Sequence, residues 1–264
     1  MGGTKDVLKH DFQKTVVELA DAHCHLDLMT ATQIGDAINA SVKTLITNGV
    51  DIKSDMESVK LADGKNVFVM LGLDPEHAVK LKEDELELAV GLIRGSIGPG
   101  VVGIGEIGLD GREGNMPLQK KVFGRMLDLA LELDLPVSIH SRGALDEVLQ
   151  MLEDKAVKKA HIHFFEGSVE QAKRAERLGC MISVPPLESG RRRKVIKEVS
   201  IDNIMAESDA PVAVKSPRDV TIAVGMIAEE KRITFEQAAQ AIVANTKRYF
   251  GIEAGKPKLT LMRN

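Results

Sequence analysis

The sequence predicts an α/β protein built as a single-domain (β/α)8 barrel, the TIM-barrel class, and three observations predict it. Short β-branched runs alternate with amphipathic stretches from Thr15 to Gly251, and the alternation supplies eight strands, each followed by a helix. The length of 264 residues fits the ~250 typical of that barrel. No Pro-, Gly- or Ser-rich linker interrupts the alternation, so residues 1–264 read as one domain with a core over about 15–251 and short extensions at either end. An open doubly wound sheet would use the same elements. Its phosphate-binding fingerprint is met only loosely, by Gly103-Ile104-Gly105-Glu106-Ile107-Gly108, which leads into loop and proline rather than a helix.

Residues 16–26 read as the first strand, and Thr30 is placed to cap a helix running to about Val42. Residues 43–47 form the second strand and 51–63 its helix. The third strand, 66–71, is apolar enough to be covered on both faces, and 83–94 then carries Leu86, Val90 and Ile93 at helical spacing. Strand four spans 101–106; the helix over 117–133 turns Val122, Met126, Leu129 and Leu133 to one side. Strand five is 136–140 with a helix over 144–152, strand six 159–164 with 169–178, and strand seven 180–184 with 191–199. Strand eight is 203–208, and helices over 221–230 and 235–250 close the chain.

A hydrophobic share of 44% and a charged share of 28% describe a globular chain with enough apolar material for a large core. The net charge of −4 argues against a broad basic face for nucleic acid, so a polyanion would have to be met by local charge or by a metal. No run approaches the ~20 apolar residues of a membrane span, and residues 1–6 carry no apolar signal region, so the cytoplasm is the expected location. Cys24 and Cys180 are expected to stay thiols there, and the eleven methionines to fill gaps in the core.

Chemistry in such a barrel gathers where strands end and loops begin. His23 and His25 share one face of the first strand, with Asp21 a layer behind, placed to accept a spare ring N–H. Asp74 follows the third strand, Glu106 ends the fourth, His140 the fifth and His163 the sixth, and Asp209 follows the eighth. Four imidazoles and two carboxylates suit Zn²⁺ or a similar borderline ion; Mg²⁺ or Mn²⁺ is a weaker match for so many nitrogens. Six donors exceed the need of one tetrahedral ion, which points to two divalent ions sharing a bridging carboxylate.

The segments Asp21-Ala22-His23-Cys24-His25-Leu26-Asp27, Gly105-Glu106-Ile107-Gly108-Leu109-Asp110, Ile139-His140-Ser141-Arg142, His163-Phe164-Phe165-Glu166-Gly167-Ser168, Glu207-Ser208-Asp209-Ala210-Pro211 and Asn245-Thr246-Lys247-Arg248-Tyr249-Phe250 resemble, in order and spacing, the TatD-type metal-dependent deoxyribonucleases of the amidohydrolase superfamily. The resemblance implies a hydrolase that cleaves phosphodiester bonds in DNA, with nucleic acid as a transient substrate. It implies that His23, His25, Glu106 and Asp209 hold one metal ion while Glu106, His140 and His163 hold the other, with Glu106 bridging. It also implies that Asp209 orients and deprotonates the attacking water and that Arg142 faces an anionic group of the substrate.

The chain departs from that pattern at Asp74, where many members carry a histidine in Gly-x-His-Pro, at Glu166 before Gly167-Ser168, and in the short stretch 215–219. Carboxylates at 74 and 166 beside a phosphodiester would repel it, which motivates hydrolysis of a small amide, lactone or ester as a second reading, with Asp74 in substrate choice. A barrel that binds metal without catalysis is a third. His77 is a candidate substitute for the missing histidine or an ordinary loop residue, and His10 an ordinary solvated one. His161 shares a face with His163 and reads either as a rival to it as ligand or, better, as a packed interior residue one layer below. Arg191-Arg192-Arg193-Lys194 reads either as a track for a phosphate backbone or as a solvated first helical turn, and Asp110 and Arg112 as turn residues or more.

Overall fold

Eight parallel strands pair in strict chain order in the computed structural model, which describes residues 17–82 and 84–252. They are β1 (Leu19–Cys24), β2 (Val42–Asn48), β3 (Val67–Leu71), β4 (Val101–Gly108), β5 (Val137–His140), β6 (Ala160–Ile162), β7 (Met181–Val184) and β8 (Ile204–Ala206). The helices are α1 (Ala31–Asn39), α2 (Ile52–Leu61), α3 (Pro75–Ala78), α4 (Glu85–Gly95), α5 (Met116–Leu133), α6 (Leu145–Asp154), α7 (Val169–Arg177), α8 (Gly190–Glu198), α9 (Val220–Lys231) and α10 (Phe235–Phe250). The sheet closes on itself past the end of β8, where the Asp209 N–H donates to the His23 carbonyl (2.9 Å) and the His25 N–H to the Ala210 carbonyl (2.8 Å). The architecture is therefore the barrel read from the alternation, and the open sheet is excluded.

Two apolar layers hold it. The larger lies between the strands and the helices, with Leu45, Ile104, Ile139 and Ile162 from the sheet meeting Phe123, Met126, Val148 and Ile227 from the helices. The smaller fills the barrel interior with Ala22, Ile46, Phe68, Met70, Met181, Met205 and Phe250, and the end of α10 plugs one mouth by way of Tyr249, whose hydroxyl donates to the Val137 carbonyl at 2.8 Å. Unbranched methionines suit a tapering interior that β-branched side chains would fill less well. Capping boxes start α1 at Thr30, α2 at Asp51, α7 at Ser168 and α10 at Thr234, each satisfying backbone donors a helix cannot.

Element types match the sequence reading; several bounds shift. Val42 belongs to β2 rather than to the preceding helix, because Ser41 at φ +81° ends the connection after Ala40. β6 is shorter than 159–164, and α3 was not anticipated: four residues headed by Pro75 are too few for periodicity to register. Starts placed at Val16 for the first strand and Glu83 for the fourth helix, the solvated reading of His10, the signal-free N-terminus and the extension beyond 252 lie outside the described residues. No helix among the described residues is long and apolar enough to cross a membrane.

Candidate metal centre

All six predicted donors converge at the mouth formed by the C-terminal strand ends. His23 is in β1 and His25 one residue past it, Glu106 is in β4, His140 closes β5, His163 follows β6 and Asp209 follows β8. Backbone bonds across the seam set His25 and Asp209, and the Glu106 N–H donates to the Gly49 carbonyl at 2.8 Å. Gly72 makes room for this: a Cβ there would stand 2.4 Å from the Glu106 carbonyl oxygen. Asp209 adopts φ +52° and Phe164 φ +46°, left-handed conformations that concentrate at sites held in place by their surroundings.

Tetrahedral bonds of about 2.0–2.1 Å leave neighbouring ligand atoms about 3.3 Å apart. His23 Nε2 lies 3.3 Å from His25 Nε2 and 3.3 Å from Glu106 Oε2, and His25 Nε2 lies 3.3 Å from Asp209 Oδ1. The cross pairs are wider, His23 with Asp209 at 3.9 Å and His25 with Glu106 at 3.7 Å. On the other side of the same carboxylate, Glu106 Oε1 is 3.0 Å from both His140 Nδ1 and His163 Nε2, which are 3.3 Å from each other. One carboxylate thus turns an oxygen to each of two ligand sets. Two imidazole nitrogens at 3.3 Å with lone pairs toward a common point are repulsive unless a cation or proton lies between them, so the donor set fits divalent metal ions. His23, His25 and Asp209 could hold one ion and Glu106, His140 and His163 another; His23, His163 and Glu207 form a further group of the same kind.

The far ring nitrogens say which tautomer each histidine takes. His25 Nδ1 donates to the Asn48 carbonyl at 3.0 Å, and His140 Nε2 faces Asp110 Oδ2 at 2.8 Å, so a ring carrying a single proton would keep it on the outer nitrogen and offer the inner one to a metal ion. Asp110 is thereby more than a turn residue: it orients His140 and also accepts from Arg142 Nε at 2.7 Å, while Arg142 Nη2 lies 3.8 Å from Glu113. A buried carboxylate two residues past a strand, even one that closes a recognised motif, shows its role only by its closeness to His140. Asp21 departs from expectation. Its carboxylate accepts the N–H groups of His23 and Ser208 and the Ser208 hydroxyl, so it ties β1 to β8 and takes no ring proton.

Burial, with the neighbouring His163 adding to it, pulls His23 down to about 4 against the opposing effect of Glu106. Burial would lower His25 and His140 as well, but it is outweighed by Asp209 and Glu106 at the first, pushed up to about 9, and by Asp110 and Glu106 at the second, pushed up to about 10. Against the cost of burial, the surrounding histidines hold the Glu106 carboxyl well below the usual range and the Asp209 carboxyl below it. Protons on His25 and His140 therefore stand in for metal charge beside ionised carboxylates.

The cleft above the site encloses about 1530 Å³. Asp74 lines it, but its Oδ1 is occupied: it caps α3 by accepting from the His77 N–H (2.8 Å) and meets His77 Nδ1 at 2.7 Å. His77 is raised by that bond despite partial burial. Glu166 lines the opposite wall with Arg191 and Arg192. The Arg192 guanidinium sits 5.7 Å from the Phe164 ring centroid and donates to the Leu187 carbonyl, whereas Arg193 turns away into ion pairs with Glu188, Glu229 and Glu230. Part of the basic run thus faces the cleft, and part is tied down outside it. His161 is fully buried below the site, as read from its position.

The family model described as "TatD related DNase" matches residues 20–251. An uncharacterized metal-dependent hydrolase of Methanocaldococcus jannaschii is 26% identical over 246 residues, covering 89% of this chain and 97% of that protein. Human deoxyribonuclease TATDN3 is 27% identical over 261 residues, covering 89% and 95%. The crystal structure of YjjV, a TatD homologue from Escherichia coli, superposes with a TM-score of 0.79 at 27% identity, covering 90% of this chain and all of that one. With a matching barrel, a ligand set converging at its mouth and a family model spanning nearly the whole chain, the protein belongs to the TatD-related DNase family.

Proposed function

We propose that this metal-dependent hydrolase cleaves phosphodiester bonds in DNA, using two divalent ions held at the mouth of the barrel, with Zn²⁺ the best match to the donors. The single observation that carries the reading is Glu106, whose two carboxylate oxygens face separate ligand sets at 3.0–3.3 Å. His23, His25, Glu106 and Asp209 would hold one ion and Glu106, His140 and His163 the other. When bound, such a pair lowers the pKa of a water and neutralises charge on the phosphoryl oxygens.

The protein's own groups do the rest. Asp209 stands at the edge of the ligand set with its carboxyl held ionised, the state needed to orient the attacking water and take its proton. Arg142, steadied by Asp110, offers its remaining N–H groups to an anionic oxygen. Arg191 and Arg192 supply positive charge along the α8 wall, and the cleft is larger than the ~300–1,000 Å³ of a small-molecule pocket, as a strand of nucleic acid requires. The Asp74 carboxylate, which looked repulsive in the sequence, is paired with His77, whose proton, favoured by that contact, offsets its charge. Glu166 keeps a second reading in view, hydrolysis of a small ester, lactone or amide, because no ion pair binds its carboxylate among the described residues.

The test is turnover of a single-stranded deoxyoligonucleotide by metal-loaded protein, run beside a panel of simple esters, lactones and amides in the presence and absence of chelator. Chelator-sensitive cleavage of the oligonucleotide is expected. Turnover confined to the small substrates would overturn the phosphodiester reading and favour the second, and no turnover of either would leave a metal-binding barrel.

A further inference from the structure

Directly beneath the ligand sets, a line of fully buried polar side chains crosses the barrel interior. His23 Nδ1 lies 3.2 Å from Ser138 Oγ, Ser138 Oγ 3.3 Å from His161 Nδ1, His161 Nε2 2.7 Å from Ser183 Oγ, and Ser183 Oγ 2.5 Å from Glu207 Oε2. All five residues have no solvent exposure. The other Glu207 oxygen, Oε1, has no hydrogen-bond partner, and neither has His163 Nδ1, which faces it at 3.9 Å. The His23 and His163 rings stack in parallel at 3.9 Å, so the line leaves from one ring and ends beside the other.

We propose that Glu207 is a positioning residue for both ligand sets at once, favouring the tautomer of His163 by its charge across the 3.9 Å gap and setting that of His23 through Ser183, His161 and Ser138. The inference rests on reading the mouth of the barrel as a metal centre. Its logic is the direction of protons. A serine hydroxyl has one proton to give, and a neutral imidazole donates from one nitrogen and accepts at the other, so with one proton in each bond the direction at His161 sets the bonds on the His23 side of it. For His23 to present a bare Nε2, its proton must be on Nδ1, donated to Ser138. Ser138 then donates to His161, His161 to Ser183, and Ser183 to Glu207, which accepts at the end of the line as a carboxylate once bound ions beside His23 and His163 offset the burial that otherwise pushes its carboxyl well above the usual range. Were Glu207 to donate to Ser183 and Ser183 to give its own proton to His161 Nε2, the bonds beyond would reverse and the proton would finish on His23 Nε2, where a ligand must be bare. His163 obeys the same requirement: with Nε2 directed at Glu106 and His140, its proton belongs on Nδ1, pointing at Glu207 Oε1. One buried carboxylate therefore receives protons from the undersides of two rings that serve different ions.

The first measurement needs no variant. Long-range proton–nitrogen correlation spectra of the Zn²⁺-loaded full chain should show His23 and His163 both protonated at Nδ1; a bare Nδ1 on either ring would overturn the proposal. The second is a calorimetric titration with Zn²⁺. Ser138→Ala and Ser183→Ala, neither of them a ligand, should each weaken one of the two binding steps by about 10- to 100-fold and leave the other unchanged. Glu207→Gln should weaken at least one step by the same factor, since an amide cannot accept at both ends. Ser58→Ala, which removes a buried hydroxyl outside the line, should leave both steps as they are. Affinities within about twofold of wild type in all three line variants would overturn the proposal, as would complete loss of one ion from Glu207→Gln with the His23 and His163 tautomers unchanged, which would make Glu207 a ligand. These readouts concern metal and protons only, so a protein that loads as described but cleaves no oligonucleotide would refute the proposed substrate and leave this inference standing.

Discussion

Loading the site with metal should expel protons in a countable way. At pH 6, His23 is already neutral, drawn down to about 4, and the carboxyls of Glu106 and Asp209 are ionised. His25 and His140, at about 9 and about 10, each carry a proton that an incoming ion must displace, one in each ligand set. Two ions therefore release at least the two protons on His25 and His140, and on their account the affinity of each step rises about tenfold per pH unit until pH passes 9 for the set containing His25 and 10 for the set containing His140. Between pH 6 and 8 that amounts to about hundredfold in each step, or about 2.7 kcal/mol. Working at pH 6 keeps a metal-bound water, whose pKa is about 7, from adding a proton of its own. Titration calorimetry in two buffers of different ionisation enthalpy counts the protons directly. Release near zero, or affinities flat from pH 6 to 8, would refute the assignment of charged imidazoles to the two sets.

Asp209→Asn should retain most of the bound metal, measured by elemental analysis, while turnover of the oligonucleotide falls by about 10²- to 10⁴-fold; unchanged turnover would remove Asp209 from proton transfer. Asp74→Ala should lower stability by about 1 kcal/mol through loss of the α3 cap and shift the NMR titration midpoint of His77 downward, because Asp74 is the main cause of its raised pKa. An unmoved His77 midpoint would show that the pair does not form in solution. In chelator, the stability that His25 and His140 contribute is fully present below their unfolded pKa of 6.5 and is lost as pH rises through 9 to 10, so the thermal midpoint should fall across that window. A midpoint that climbs there would reverse the sign of both shifts.

Alternation of short β-branched runs with amphipathic segments was enough to read the barrel, because parallel strands buried on both faces leave continuous apolar signatures that loops do not share. The ligands were legible for a related reason: imidazoles and carboxylates at strand ends stand out against the apolar strands that carry them. What lay beyond reach were relations between residues far apart in the chain. Asp110 belongs to a glycine-rich turn until His140 is seen beside it, and Asp21 resembles a ring orienter until Ser208 is found taking its oxygens. Gly108, the last glycine of the loose fingerprint in β4, adopts φ +144° where a Cβ would meet the His140 carbonyl at 2.1 Å; that glycine answers to strand packing, not to a phosphate. His161 read as an interior residue and Ser138 and Ser183 drew no reading at all, since nothing in a strand's own sequence announces that three neighbouring strands have aligned their polar side chains.

Metal content per chain tests the central claim most directly, because the account stands on two ligand sets joined at Glu106. Elemental analysis of loaded and desalted protein should find about two divalent ions per chain in the wild type, about one after His25→Ala or His140→Ala, and almost none after Glu106→Ala. Less than about half an ion per wild-type chain, or a Glu106→Ala protein that keeps both, would contradict it.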